Sequence, residues 1–305
     1  MKWSWRIGRI AGIDLEMHAT FLILLVWVGV YHYLPKHSWT DVLDGIIFTI
    51  ALFGIVVLHE LGHALTARRF GIRTRDITLW PIGGVSRLER MPDDAKQELL
   101  VALAGPAVNV VLALGLSLLL APGHGSPATA EVNLVGGSFL VKLVWVNIML
   151  VLFNLIPAFP MDGGRVLRAL LAMRMDYVEA TNLAAMIGQV IAFLLGLLGL
   201  FFNPFLFFIA LFVWMGAGAE AGMVQIKSAL GGIPVSRAMI TDFRTLGPDD
   251  SLRQAVDYIM AGFQQDFPVV KDGRVVGILT RTDLLKVLTQ KGPDAHVIDA
   301  MQPRF

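Results

Sequence analysis

His59-Glu60-Leu61-Gly62-His63 sets two imidazoles four residues apart with a carboxylate between them. On a helix, positions i and i+4 share a face, so both rings can reach one metal ion. The glutamate lies about 100° round from His59, close enough to activate a water on that metal. The chain has no cysteine, so a zinc site here is built from His, Asp and Glu. The motif closes an apolar run, residues 45–58, and stands nine residues before Arg68, about 13 Å at about 1.5 Å per residue. The rival reading is a histidine pair satisfied by hydrogen bonds inside a bundle. Three ionisable groups within five residues of an apolar span argue against it, because such groups are costly without a partner or a task.

A catalytic zinc needs a third protein ligand and one open position. Asp162 is the candidate, in Phe153-Asn-Leu-Ile-Pro-Ala-Phe-Pro-Met-Asp162-Gly-Gly-Arg. Pro157 and Pro160 break the helix there. Gly163-Gly164 are expected to take positive φ and bend the chain so that Asp162 faces the bundle core. Asn154, two turns earlier, is either a packing amide or a donor to the substrate carbonyl and its oxyanion. Asn109 carries the same two readings and leans towards packing. His18 and His32, at the ends of the first span, read as interfacial, and His124 and His296 as loop residues.

These groups need a scaffold, and composition describes one that lives in a membrane. Hydrophobic residues make up 55% of the chain and charged residues 16%, where soluble domains carry about 25% charge. Mean hydropathy is +0.66. The apolar residues concentrate in six segments, 18–34, 43–66, 99–121, 138–157, 183–202 and 204–222, of the order of the 20 residues that cross a hydrocarbon core. The expected fold over 1–225 is a polytopic α-helical membrane protein of about six transmembrane helices. Stretch 67–98 holds seven Lys/Arg and 163–180 holds Arg165, Arg168 and Arg174, whereas 35–42 has only Lys36 and 122–137 none. Positive charge marks the cytoplasmic side, which places both basic loops and both termini there. The N-terminus lacks a small-x-small cleavage site and reads as a retained cytoplasmic start. A net charge of +1 without a basic tract predicts no nucleic-acid partner.

After a linker at 226–233 the character changes to that of a soluble α/β module, residues 234–305. Strand-like 266–270 and 275–279 flank the turn Lys271-Asp272-Gly273-Arg274, and helices are expected at 251–262 and 282–290 in a β-α-β-β-α order. His296-Val-Ile-Asp-Ala-Met301 echoes Pro234-Val-Ser-Arg-Ala-Met239, which reads as the start of a second, truncated copy.

Four features together resemble the site-2 protease family of intramembrane zinc metalloproteases, peptidase family M50. They are HExxH in the second span, Gly83-Gly84 after it, Ala-Gly-Pro-x-x-Asn109 in the third span, and Asn154-x-x-Pro-x-x-Pro-x-Asp162-Gly-Gly after the fourth. The tail, with Gly277-Ile-Leu-Thr-Arg-Thr-Asp283, resembles a CBS (cystathionine β-synthase) motif, as in the branch of that family with cytoplasmic CBS domains. The resemblance implies that His59, His63 and Asp162 bind one zinc, that Glu60 is the catalytic base, and that Asn154 positions or polarises the substrate carbonyl. It also implies a short strand or re-entrant loop at Pro81–Ser86, where Gly83 and Gly84, with Asn109, are candidate substrate contacts. Thr280 and Asp283 match the Thr-x-x-Asp that contacts adenine nucleotide. A transmembrane protein or peptide substrate, membrane lipid and a homodimer through the CBS-type modules are the expected partners. A non-catalytic zinc carrier and an idle scaffold for the CBS module are the rival functions.

Overall fold

The computed structural model describes residues 3–81, 83–92, 94–120, 138–231, 233–237 and 239–303. The 122–137 stretch, which has no Lys or Arg and includes His124, lies outside the described residues, as does Ile82. The chain divides into two compact units, residues 1–229 and 230–305.

The first unit opens with strands β1 (Ser4–Ile10) and β2 (Ile13–His18). There follow α1 (Thr20–Lys36), α2 (Trp39–Arg69), β3 (Thr74–Trp80), β4 (Gly83–Leu88), α3 (Ala95–Leu120) and α4 (Phe139–Asn154). The unit ends with α5 (Asp162–Ala172), α6 (Tyr177–Phe202) and α7 (Pro204–Leu230). Six of these helices occupy the six apolar segments. Among the described residues, α2, α3, α6 and α7 are long and apolar enough to cross a membrane, and α1 and α4 are shorter apolar helices. At 31 residues, α2 is about 46 Å long at about 1.5 Å per residue, well beyond a hydrocarbon core of about 30 Å. Ser38 caps its start by accepting the Asp41 amide. Asn203 alone separates α6 from α7, and α7 runs on to Leu230.

Two stretches differ from the expected loops. The N-terminal residues and much of 67–98 form a four-stranded sheet in the order β1-β2-β3-β4. Strands β2 and β3 pair in parallel, Asp14 opposite Asp76 and Met17 opposite Leu79, across the whole of α1 and α2. One face of this sheet is apolar. Ile13, Ile77 and Leu79 pack with Phe21 of α1 and with Phe53, Val57 and Leu61 of α2, so the sheet braces the helix that carries the histidines. The 163–180 stretch is likewise mostly helical, forming α5 and the start of α6. Arg168 and Ala169 of α5 are buried, while Leu170 is half exposed.

In the second unit, α8 (Leu252–Met260), β5 (Phe267–Lys271), β6 (Arg274–Leu279) and α9 (Arg281–Lys291) close around Leu246, Leu252, Phe267, Val269, Leu279 and Leu284. Asp272 and Gly273 take φ of 52° and 76° in the β5–β6 hairpin. Left-handed values at both central positions define a type I′ turn, whose twist matches the flanking strands. The strand expected ahead of α8 is reduced to one parallel bridge, Leu246 to Val269. The segment after His296 returns to this core: Val297 is buried and Gln302 bridges Ile278 of β6.

Candidate active site

Helix α2 brings His59 and His63 to one face, and the first residue of α5 brings Asp162 to meet them. All three side chains are buried. His59 Nε2 and His63 Nε2 stand 3.1 Å apart, and Asp162 Oδ2 lies 3.2 Å from the first and 3.1 Å from the second. These three donors form a nearly equilateral triangle. Zinc at about 2.0–2.1 Å from each of two tetrahedral ligands sets those ligands about 3.3 Å apart, so the donor set fits zinc with one oxygen of Asp162 as a single-point ligand. The tautomer fits as well. His63 donates from Nδ1 to the Val101 carbonyl at 2.7 Å, which leaves Nε2 with its lone pair directed at the shared point.

Glycines make the close approaches. A β-carbon on Gly62 would meet the Ala104 carbonyl oxygen of α3 at 2.8 Å, so α2 and α3 cross where neither carries bulk. A β-carbon on Gly105, next on α3, would run into His63 Nε2 and lie 2.7 Å from His59 Nε2. The space in front of the two imidazoles exists because this residue has no side chain. Gly163 and Gly164 do not take the positive φ expected of them. They sit in the first turn of α5, where a β-carbon on Gly163 would strike the Leu155 and Ile156 carbonyl oxygens. On Gly164 it would come within 2.6 Å of the Phe159 nitrogen. Close packing, not a left-handed bend, lets the 155–161 segment fold back onto α5 and present Asp162.

Glu60 is partly exposed. Its neighbour is β4: a β-carbon on Gly84 would lie 2.9 Å from Glu60 Cγ. Gly83 begins that strand with φ of 142°. The expected strand beside the active helix is therefore present, as the outermost strand of the sheet.

The remaining candidates are more scattered. Asn154 ends α4, and its amide nitrogen donates to the Leu150 carbonyl of its own helix. Asn109 is fully buried one turn beyond Gly105 on α3, and neither of its amide atoms has a hydrogen-bond partner among the described residues. Thr280 caps α9, accepting from the Asp283 amide and donating to Asp283 Oδ2, which Gln302 also contacts. His18 stacks on Trp80, and His32 Nδ1 bonds the Val28 carbonyl.

Sequence reasoning passed over Gly105, and also Arg168 with its partners Glu98 and Glu220, a buried cluster beside the Asp162 segment. Two signals were present: Gly105 lies inside the Ala-Gly-Pro motif, and Glu98 is an acid at the mouth of an apolar span.

Comparisons with known proteins give the family. The profile of peptidase family M50 matches residues 47–134 and 128–195, and that of the CBS domain matches 235–290. A zinc metalloprotease of Methanocaldococcus jannaschii is 35% identical over 281 residues, which cover 92% of this chain and 78% of that protein. Stage IV sporulation protein FB of Bacillus subtilis is 30% identical over 156 residues, 51% of each chain. Among solved structures, the site-2 protease from Methanocaldococcus jannaschii superposes with a TM-score of 0.52 at 38% identity, covering 72% of this chain and 95% of that one. The chain belongs to peptidase family M50, the site-2-protease type of membrane zinc metalloprotease, and carries a CBS domain behind the protease unit.

Proposed function

We propose that the protein is an intramembrane endopeptidase that hydrolyses peptide bonds of transmembrane substrates, with His59, His63 and Asp162 as zinc ligands and Glu60 as general base. The carrying observation is the triangle of three buried donor atoms 3.1–3.2 Å apart, two from the helix that also presents Glu60 and the third from Asp162 at the start of α5. Zinc held by His59, His63 and Asp162 would supply Lewis acidity, lowering the pKa of the attacking water to about 7. Glu60 takes the proton from that nucleophile on its carboxylate and returns it to the leaving amide nitrogen. Water adds across the C–N bond, giving a carboxylate and an amine. The Asn154 amide, turned from the Leu150 carbonyl towards substrate, donates to the developing oxyanion.

A helical substrate hides its amides in internal bonds and must be unwound before attack. The outer edge of β4 offers backbone partners to such an extended segment, and Gly83 and Gly84 keep that approach clear next to Glu60. The buried Asn109 amide is a further candidate substrate contact. Both termini and the CBS module lie on the cytoplasmic side, where the Arg-rich segments fall, and water enters from there. In the CBS module, Thr280 and Asp283 contact an adenine nucleotide whose binding regulates substrate entry, and modules of two chains pair as a homodimer. Substitution Glu60→Gln tests the assignment: zinc should stay bound while cleavage stops, and retained cleavage contradicts it. Equal cleavage rates with and without ATP would count against the regulatory role.

A further inference from the structure

Arg168 is a fully buried arginine in a chain whose other arginines lie mostly at the surface, and the reaction above does not use it. It sits on α5, six residues after Asp162, about 9 Å further along the axis at about 1.5 Å per residue. Its Nε donates to Glu98 Oε1 of α3 at 2.8 Å, and Nη2 donates to the same oxygen. Its Nη1 donates to Glu220 Oε1 of α7 at 2.6 Å. The guanidinium carbon lies 5.1 Å from the Phe159 ring centre and 5.1 Å from that of Tyr177. Phe159, itself fully buried, belongs to the segment that folds back to deliver Asp162. One side chain thus ties together α3, α5, α7, the start of α6 and the segment leading to Asp162.

We propose that Arg168 is a positioning residue for Asp162: by fixing α5 against α3 and α7 and holding Phe159 under its guanidinium, it sets where the Asp162 carboxylate meets His59 and His63. This rests on reading those three residues as zinc ligands. The chemistry favours arginine. A planar fork with several fixed donors can hold two carboxylates and lie against two rings at once, which the point charge of a lysine cannot. A buried ion cluster is weak evidence for stability alone, since apolar replacement of the whole cluster is often neutral. A requirement for Arg168 should therefore appear in metal geometry rather than in folding.

The test is zinc affinity of the detergent-purified full chain by chelator competition, with the cobalt-substituted visible spectrum as a second readout. Arg168→Met combined with Glu98→Gln removes the arginine without leaving Glu98 as an unpaired buried charge. It should fold with unchanged helicity, bind zinc about 10- to 100-fold more weakly and show an altered cobalt spectrum. Arg168→Lys should recover only part of the loss. Glu220→Gln, which leaves the Glu98 pair intact at a partly exposed partner, serves if the double variant does not fold and should weaken zinc several-fold. Wild-type affinity and spectrum in either folded variant would overturn the proposal. Asp162→Asn is the reference: if it too keeps wild-type zinc affinity, it is the ligand assignment that fails.

Discussion

Gly105 of α3 faces His63 of α2 so closely that a β-carbon at position 105 would overlap the imidazole Nε2. The same β-carbon would stand 2.7 Å from His59 Nε2. The face of α2 that carries the two histidines is thus shaped from the opposite helix, by the absence of one methyl group.

Gly105→Ala should therefore act on the metal rather than on the bundle. Overpacking by one methyl costs about 1–3 kcal/mol, equivalent to about 5- to 150-fold in zinc affinity if the strain falls on the bound geometry. Chelator competition on the purified variant measures this, and circular dichroism should show its helix content unchanged.

Gly84→Val adds a side chain whose β-carbon alone would stand 2.9 Å from Glu60 Cγ. Glu60 should be displaced while His59, His63 and Asp162 are not. Cleavage should fall by about 10²- to 10⁴-fold, the usual worth of a general base, with zinc content unchanged. Metal analysis beside a cleavage assay separates the two effects, and loss of zinc would show that β4 supports the ligands instead.

Asp162→Asn removes the anionic ligand but keeps the shape. Zinc affinity should drop by more than the about 10- to 100-fold that follows loss of an outer hydrogen-bond partner. Added zinc should restore binding only at correspondingly higher concentration. Titration of metal-stripped protein reads this directly.

Much of this arrangement is legible in the sequence because its signals are local. The two histidines are four residues apart on one helix, and the six apolar helices announce themselves by composition. Asp162 was reachable through its Pro-Gly setting, although its glycines turned out to serve close packing rather than positive φ. The sheet was not legible. Strand β2 alternates apolar and polar residues from Ile13 to His18, but it pairs with β3 across two helices, Asp14 with Asp76, and alternation within a six-residue strand says nothing of a partner that distant. Arg168 reads as one more loop charge until Glu98, 70 residues away, is seen beside it.

In the CBS module, Thr280 caps α9 and, with Gln302, holds the Asp283 carboxylate below its ordinary range by hydrogen bonding. Thr280→Ala should destabilise α9 by about 1 kcal/mol, the usual worth of such a cap. Because the folded-state pKa of Asp283 is depressed, its contribution is present at neutral pH and is lost as pH falls through that depressed value. Hydrogen exchange of the α9 amides in the full chain should show faster opening in the variant at neutral pH, with the difference shrinking in acid.

The most direct measurement of the central claim is zinc content together with cleavage of a single-span substrate in the membrane, for wild type and Glu60→Gln side by side. The account predicts one zinc per chain in both proteins and cleavage only in the wild type. Cleavage by Glu60→Gln, or a wild type that cleaves without zinc, would contradict it.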